Sequence, residues 1–150
     1  MTIKTLKALS AGLLALAALA AQAQTTPVGL WKTTDDETGK EKSLVRLTEA
    51  DGVLTGKVEK LLDPARQDAK CDKCSDERKD QPVLGMTIVK GVKRNADHPE
   101  RWDGGEILDP NKGKTYKVRI TPVDGGKTLE VRGYIGAPLL GRTQTWSRVE

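Results

Sequence analysis

Residues 114–135 read KTYKVRITPVDGGKTLEVRGYI and contain the clearest structural signal in the chain. Tyr116, Val118 and Ile120 alternate with polar side chains, and a second alternating run begins at Leu129. Such two-residue alternation is typical of a strand with one buried face. The segment 124–126 (DGG) separates the runs with residues that tolerate positive φ, so the stretch predicts an antiparallel hairpin. In its second strand the predicted apolar face is Leu129, Val131 and Ile135, opposite Glu130, Arg132 and Tyr134.

Short alternating segments separated by turn residues continue through the rest of the chain. All seven prolines fall at or between the segment boundaries, as expected because proline cannot donate to a β-ladder. Besides the hairpin, the predicted strands lie near 28–34, 42–49, 53–62, 83–92, 101–108 and 141–148, and 63–70 is a candidate short helix.

The fold class predicted from these segments is all-β. About eight sequential antiparallel strands close most simply into an up-and-down β-barrel, which removes exposed sheet edges and can enclose one small ligand. A two-sheet β-sandwich is the alternative.

The first 23 residues predict a cleavable signal peptide. Lys4 and Lys7 precede an apolar run over 8–21, and residues 21–23 (AQA) match the small-x-small pattern of a signal peptidase site. The apolar run, about 14 residues, falls short of the roughly 20 that a transmembrane helix needs. We therefore expect residues 24–150 to form a single β domain in the periplasm, without a membrane span.

Charge and composition argue against a nucleic-acid partner. The formal charge of +4 includes Lys4 and Lys7, so 25 − 2 = 23 basic residues remain against 21 acidic ones in the mature chain. Both signs are interspersed, and no basic stripe indicates phosphate binding. We expect a monomer that uses no cofactor and no metal.

Cys71 and Cys74 are the only cysteines, and a lone C-x-x-C pair in an oxidising compartment is expected to close as a disulfide. Two other interpretations remain open. A zinc site would need further ligands, and His98 is the single histidine. A thioredoxin-like redox pair would need its first cysteine at a helix N-terminus, whereas this pair lies in a polar, loop-like stretch.

Catalytic candidates are few, so we expect no enzyme. His98 lies in a loop-like run, and no nucleophile elbow, phosphate loop or metalloprotease motif occurs. Asp103, Glu106 and Asp109 could gather carboxylates for calcium or for acid–base chemistry, but calcium loops space their ligands more regularly. The preferred interpretation is that Gly104 and Gly105 bend a strand while the acids face water or pair with Arg101.

Polar residues on the predicted strands are the candidate ligand-binding residues. Arg132 and Tyr134 share one strand face that either lines a polar lumen or forms the wet exterior, because alternation defines two faces without saying which is inside. The predicted ligand-binding set is Glu106, Arg132, Tyr134, Arg142 and Gln144.

Six motifs carry a resemblance to a known family: PVGLWKT (27–33), SLVR (43–46), CDKC (71–74), GGEILDP (104–110), VRGYIG (131–136) and GRTQTW (141–146). In this order and spacing they resemble domain-of-unknown-function family 2147 over essentially the whole mature chain. The resemblance implies an exported, small, single-domain bacterial protein without an assigned activity.

A weaker resemblance concerns the ends of the barrel. Residues 29–31 (GLW) with an arginine on the last strand are similar to the lipocalin and calycin arrangement, in which an arginine covers a tryptophan at the closed end. Arg148 would take the covering role, with Arg142 as second candidate, and Trp31 and Trp146 would serve as core plugs. The resemblance thus implies a lipocalin-like barrel closed by Trp31 and Arg148. Trp146 joins this closure set because the chain has only five aromatic residues, which are expected to be core or barrel plugs.

Three functional hypotheses follow. The preferred one is a non-catalytic periplasmic barrel that binds a small ligand or envelope component. The second is an envelope interaction or structural module that docks a protein through an outer face and the cysteine segment 63–81. The third is a thiol–disulfide redox protein that uses Cys71 and Cys74.

Overall fold

Eight antiparallel strands form a closed barrel in the computed structural model, which describes residues 25–150. Each strand pairs with its neighbours in the chain, and the first strand pairs with the last, so the predicted up-and-down β-barrel is confirmed. The signal peptide predicted over 1–23 lies outside the described residues. The strands are β1 (Gly29–Thr34), β2 (Glu41–Ala50), β3 (Val53–Leu61), β4 (Thr87–Arg94), β5 (Trp102–Asp109), β6 (Lys114–Val123), β7 (Thr128–Tyr134) and β8 (Arg142–Arg148).

The β6–β7 hairpin has the predicted turn and faces. Ile120 lies opposite Val131, and both are buried in the barrel together with Val118 and Leu129. The expectation that Ile135 continues this apolar face is wrong. β7 ends at Tyr134, Gly136 turns the chain with φ of 78°, and the side chain of Ile135 is therefore 65% exposed in the β7–β8 loop.

The segment between β3 and β4 contains most of the differences from the predicted elements. Residues 83–86 form a turn, in which the Met86 N–H donates to the Val83 carbonyl, and β4 begins only at Thr87. The candidate helix over 63–70 is reduced to a 3₁₀ turn, Pro64–Arg66, capped by Asp63. Among residues 25–150, no helix is long and apolar enough to cross a bilayer.

Trp31 and Arg148 close one end of the barrel. The indole of Trp31 is fully buried, and its Nε1 donates to the Pro27 carbonyl at 2.8 Å. The Arg148 guanidinium lies over the ring and donates to the carbonyls of Thr26, Val28 and Gly126 at 2.6, 2.8 and 2.5 Å. Burial lowers the pKa of Arg148 from its ordinary value. The arginine thus ties the segment before β1, the β6–β7 turn and the last strand together.

Candidate functional site

The opposite end of the barrel opens into a cavity of about 360 Å³. Four connections surround its mouth: the β1–β2 loop (35–40), the long β3–β4 segment (62–86), the β5–β6 turn (110–113) and the β7–β8 loop (135–141). In an up-and-down barrel every second connection lies at the same end. The lining residues come from the first three of these connections and from the ends of the strands.

The floor of the cavity is apolar. Trp146 is 2% exposed and lines the cavity together with Val58, Ile88 and Val131. The register of β1 and β8, in which Trp31 lies opposite Arg148 and Lys32 opposite Ser147, places Trp146 one layer nearer the mouth than Trp31. Trp146 therefore separates the cavity from the closed end.

Two hydroxyl groups provide polarity inside the lumen. The Oγ1 of Thr33 lies 2.8 Å from the Oγ of Ser43 on the neighbouring strand, and both residues are buried. Each hydroxyl satisfies the other, as buried polar groups require. Because a hydroxyl both donates and accepts, the pair can also turn toward a polar atom of a bound molecule.

Asp36, Arg142 and Gln144 form a bridge across the mouth, called here the rim bridge. One carboxylate oxygen of Asp36 lies 3.1 Å from the Nε of Arg142 and accepts from the Nε2 of Gln144 at 3.3 Å. The Oε1 of Gln144 in turn accepts from the Nε1 of Trp146 at 3.1 Å. The rim bridge therefore joins the β1–β2 loop, the start of β8 and the cavity floor.

Asp35, the neighbour of Asp36, has a local structural role. Its carboxylate accepts from the backbone N–H groups of Glu37 and Thr38 and from the Thr38 hydroxyl. The hydrogen bonds from Thr38 hold the pKa of Asp35 below its ordinary value. The β1–β2 loop is thus shaped by Asp35, which leaves Asp36 to face β8.

The β3–β4 segment forms one wall of the cavity. Ala69 and Val83 line the cavity, and the Val83 N–H donates to the Ala69 carbonyl at 2.9 Å. Next to them Cys71 and Cys74 form a disulfide and are both buried. The disulfide turn packs on the β5–β6 turn, where the Cys71 sulfur lies 3.5 Å from the Pro110 carbonyl oxygen.

Arg78 holds the same segment to the barrel. Its side chain is only 9% exposed, pairs with Asp76 at 2.6 Å and donates to the Thr87 carbonyl at 2.9 Å at the start of β4. The hydrogen bonds from Arg78 lower the pKa of Asp76 to about 2. Sequence reasoning missed this residue, because the run 76–80 (DERKD) resembles a solvated stretch of mixed charge and no spacing within it identifies the buried member.

Of the five predicted ligand-binding residues, only Arg142 and Gln144 line the cavity. Arg132 and Tyr134 lie on the outer face of β7, because the inward positions of that strand are Leu129, Val131 and Gly133. Glu106 also lies outside the cavity, where its carboxylate is 3.2 Å from the Nζ of Lys90. Placing these three in the pocket is thus a wrong expectation.

Of the remaining sequence candidates, Asp109 lines the cavity at the end of β5, whereas His98 and Asp103 lie away from it. His98 is in the β4–β5 loop at the closed end, and its Nδ1 lies 3.4 Å from the Glu100 carboxylate on the surface. Asp103 is engaged by Arg101 at 3.4 Å and by the Asn95 amide at 2.8 Å. Arg142, the second candidate for covering Trp31, lies instead at the mouth.

Comparison with known proteins agrees with this architecture. The family described as "Uncharacterized protein conserved in bacteria (DUF2147)" matches residues 29–148. A solved structure described as "Protein HP1028 from the human pathogen Helicobacter pylori belongs to the lipocalin family" is similar, with a TM-score of 0.70 and 22% identity over 82% of each chain. At 22% sequence identity, the structural similarity shows that the two proteins share a lipocalin-like fold. No curated protein matches the chain.

Proposed function

Since the chain belongs to the DUF2147 family of uncharacterized bacterial proteins, we propose its function from its own cavity: it binds one small, mainly apolar molecule inside the barrel. The observation that carries the proposal is a lumen of about 360 Å³ that is open at one end of the barrel and floored by Trp146, above the end that Trp31 and Arg148 close. This volume lies at the lower end of the range of about 300–1,000 Å³ for pockets that hold small ligands.

The lining indicates the chemistry of the ligand. An apolar body would pack on Trp146, Val58 and Ile88, and each square ångström of apolar surface removed from water contributes about 25 cal/mol. A single polar group would reach the hydroxyls of Thr33 and Ser43, or would replace Asp36 as the partner of Arg142. The best ligand therefore has an apolar body and one polar end.

A binding role without catalysis is supported by how the polar groups of the cavity are engaged. The two hydroxyls pair with each other, and Asp36 is held by Arg142 and Gln144. The imidazole of His98 lies at the other end of the barrel, too far away to act as a base in the lumen. We place this activity in the periplasm on the strength of the predicted leader and the disulfide.

The redox alternative is less well supported by the surroundings of the disulfide. Cys71 is 0% and Cys74 3% exposed, and the turn that carries them packs on the β5–β6 turn. A redox-active disulfide must be accessible to the thiolate of the other molecule with which it exchanges. We therefore assign the bond a structural role in the cavity wall.

The test is native mass spectrometry of the protein purified from its own periplasm, followed by extraction and identification of any co-purified molecule. A Val131→Phe variant fills the lumen, because Val131 is 2% exposed and lines the cavity. Its matched control is Thr145→Phe, which adds the same ring on the exposed outer face of β8.

We expect a bound small molecule in the wild type and in Thr145→Phe, and its loss in Val131→Phe. Both variants must unfold cooperatively in urea for the comparison to hold, since overpacking a core costs about 1–3 kcal/mol. A bound molecule retained by Val131→Phe would contradict binding in the lumen, and a wild type that carries and accepts no small molecule would refute the proposal.

A further inference from the structure

The β7–β8 loop gathers exposed apolar side chains at the mouth of the barrel. Within residues 25–150, five large hydrophobic residues are exposed, and three of them are in this seven-residue loop. Ile135, Leu139 and Leu140 are 65, 87 and 79% exposed. Single exposed apolar residues are ordinary on protein surfaces, but a cluster of them marks an interaction site.

The backbone of this loop is held in one shape by its own hydrogen bonds and by Arg132. The N–H groups of Leu140 and Gly141 donate to the carbonyls of Ala137 and Pro138, both at 3.1 Å. Arg132 reaches up from β7 and donates from Nε to the Pro138 carbonyl at 2.7 Å. It also donates from its second terminal nitrogen to the Leu139 carbonyl at 3.3 Å.

These hydrogen bonds bear on which surface the loop can enter. An unpaired carbonyl or N–H is strongly unfavourable in hydrocarbon, so a segment that inserts among lipid chains needs its backbone groups satisfied internally. The carbonyls of residues 137–139 are all engaged within the chain, and Pro138 has no N–H to satisfy. The tip that carries Leu139 and Leu140 therefore already meets much of this requirement.

The outer face of the three strands beside the loop is basic. Arg119 on β6 lies directly opposite Arg132 on β7, an arrangement of like charges that is normally unfavourable. Arg119 forms no ion pair among the described residues, and its Nε is buried without a hydrogen-bond partner. Against Lys117, Arg119 and Arg132, the outward positions of β6, β7 and β8 contain one carboxylate, Glu130.

From these observations we infer that the β7–β8 loop docks the barrel onto an anionic phospholipid surface. Ile135, Leu139 and Leu140 enter the boundary between headgroups and acyl chains, while Lys117 and Arg119 face the headgroup phosphates. Each cation near an anionic surface contributes on the order of a fivefold change in affinity. Docking in this way turns the mouth of the cavity toward the membrane, but it does not depend on any ligand in the lumen.

The experiment is co-sedimentation of the protein with vesicles made of equal parts phosphatidylglycerol and phosphatidylcholine, compared with vesicles of phosphatidylcholine alone. We expect stronger binding to the anionic vesicles. The Leu139→Ser/Leu140→Ser double variant should bind them at least about tenfold more weakly, because two leucine side chains no longer leave water. Val149→Ser is the matched control, because Val149 is 49% exposed but lies near the closed end, away from the β7–β8 loop. This variant should bind the anionic vesicles as tightly as the wild type does.

An Arg119→Gln variant separates the electrostatic part. It should weaken binding to anionic vesicles by about fivefold and leave binding to phosphatidylcholine vesicles unchanged. Because these side chains are exposed or on the outer face, the urea midpoints should stay close to that of the wild type, which distinguishes lost docking from lost folding.

Three results would overturn the inference. One is a wild type that does not sediment with either vesicle, and another is a double variant that binds anionic vesicles as tightly as the wild type. The third is a dimer in sedimentation velocity that the double variant abolishes without any vesicle binding, because the loop would then be a contact between two copies.

Discussion

The guanidinium carbon of Arg148 lies 4.2 Å from the centre of the Trp31 ring, so the last strand covers the first at the bottom of the barrel. The same guanidinium donates to three carbonyls that belong to separate parts of the chain. The seal is therefore a junction between the two chain ends, and its removal should affect the whole fold.

Replacing Arg148 with methionine should destabilise the protein by about 3 kcal/mol, because it removes charged hydrogen bonds and a cation–π contact. The measurement is urea unfolding followed by circular dichroism. Arg46→Met is the control, since Arg46 pairs with Glu59 and Glu150 on the surface, where ion pairs are screened by water, and its loss should cost much less stability. Equal losses in the two variants would contradict a special role for Arg148.

Gly113→Ala should separate the β5–β6 turn from the disulfide turn. A Cβ at this position would collide with the backbone carbonyl of Lys73, and the φ of 65° disfavours any side chain. Gly39→Ala is the control, because Gly39 has a φ of 69° with open space around it.

In urea unfolding, Gly39→Ala should lower the free energy of unfolding by about 1 kcal/mol, because it introduces backbone strain alone. Gly113→Ala should lower it by about 1–3 kcal/mol more, because the added Cβ also collides with its neighbour. Proteolysis within 62–86 should also accelerate only in Gly113→Ala. A Gly113→Ala variant as stable as Gly39→Ala would show that the two turns do not depend on their close packing.

The Asp76–Arg78 pair should make stability depend on pH at the acidic end. Because Arg78 lowers the pKa of Asp76 from 3.8 to about 2 in the folded protein, the unfolded chain takes up the proton first as the pH falls. The stabilisation is complete above about pH 4 and is lost progressively toward pH 2.

The measurement is the urea midpoint at several pH values for the wild type and Asp76→Asn. The difference between the two should shrink from pH 5 to pH 2, while Asp68→Asn, an exposed neighbour in the same segment, should follow the wild type throughout. A difference that stays constant over this interval would mean that the ionised Asp76 does not stabilise the fold.

Asp36→Ala should open the mouth of the cavity, because Arg142 and Gln144 lose the carboxylate that joins β8 to the β1–β2 loop. Acrylamide should then quench more of the tryptophan fluorescence. Adding Trp146→Phe should remove the increase, since Trp146 is the tryptophan that lines the cavity. Asp97→Ala, at the closed end, is the control, and acrylamide should quench its fluorescence to the same extent as that of the wild type. If Asp36→Ala were quenched no more than this control, the rim bridge would not restrict access to the cavity.

The sequence predicted the elements of the fold closely. Strand boundaries near 28–34 and 53–62 lie within one residue of β1 and β3, because turn residues and prolines interrupt a regular alternation there. The strand predicted from residue 83 begins only at Thr87, because residues 83–86 form a turn. Val83 and Met86 are apolar because they pack into the core from this turn. Burial alone selects apolar residues, so an apolar run does not distinguish a strand from a packed turn.

The candidate site was only partly predictable. Arg142 and Gln144 were expected at a pocket and line it, but Asp36, Thr33 and Ser43 carry no signal in the sequence that marks them as cavity residues. Asp36 and Gln144 are separated by 108 positions in the chain and meet only because β1 pairs with β8.

By itself, then, the sequence determined the strands, their turns and their two faces, because backbone geometry and side-chain alternation are local properties. The tertiary structure decided what those faces do. Closure of the barrel turned Val131 toward the cavity and Arg132 outward, where Arg132 holds the exposed β7–β8 loop. Alternation is the same whether a face lines a lumen or meets solvent, so the distinction arose only when the first and last strands paired.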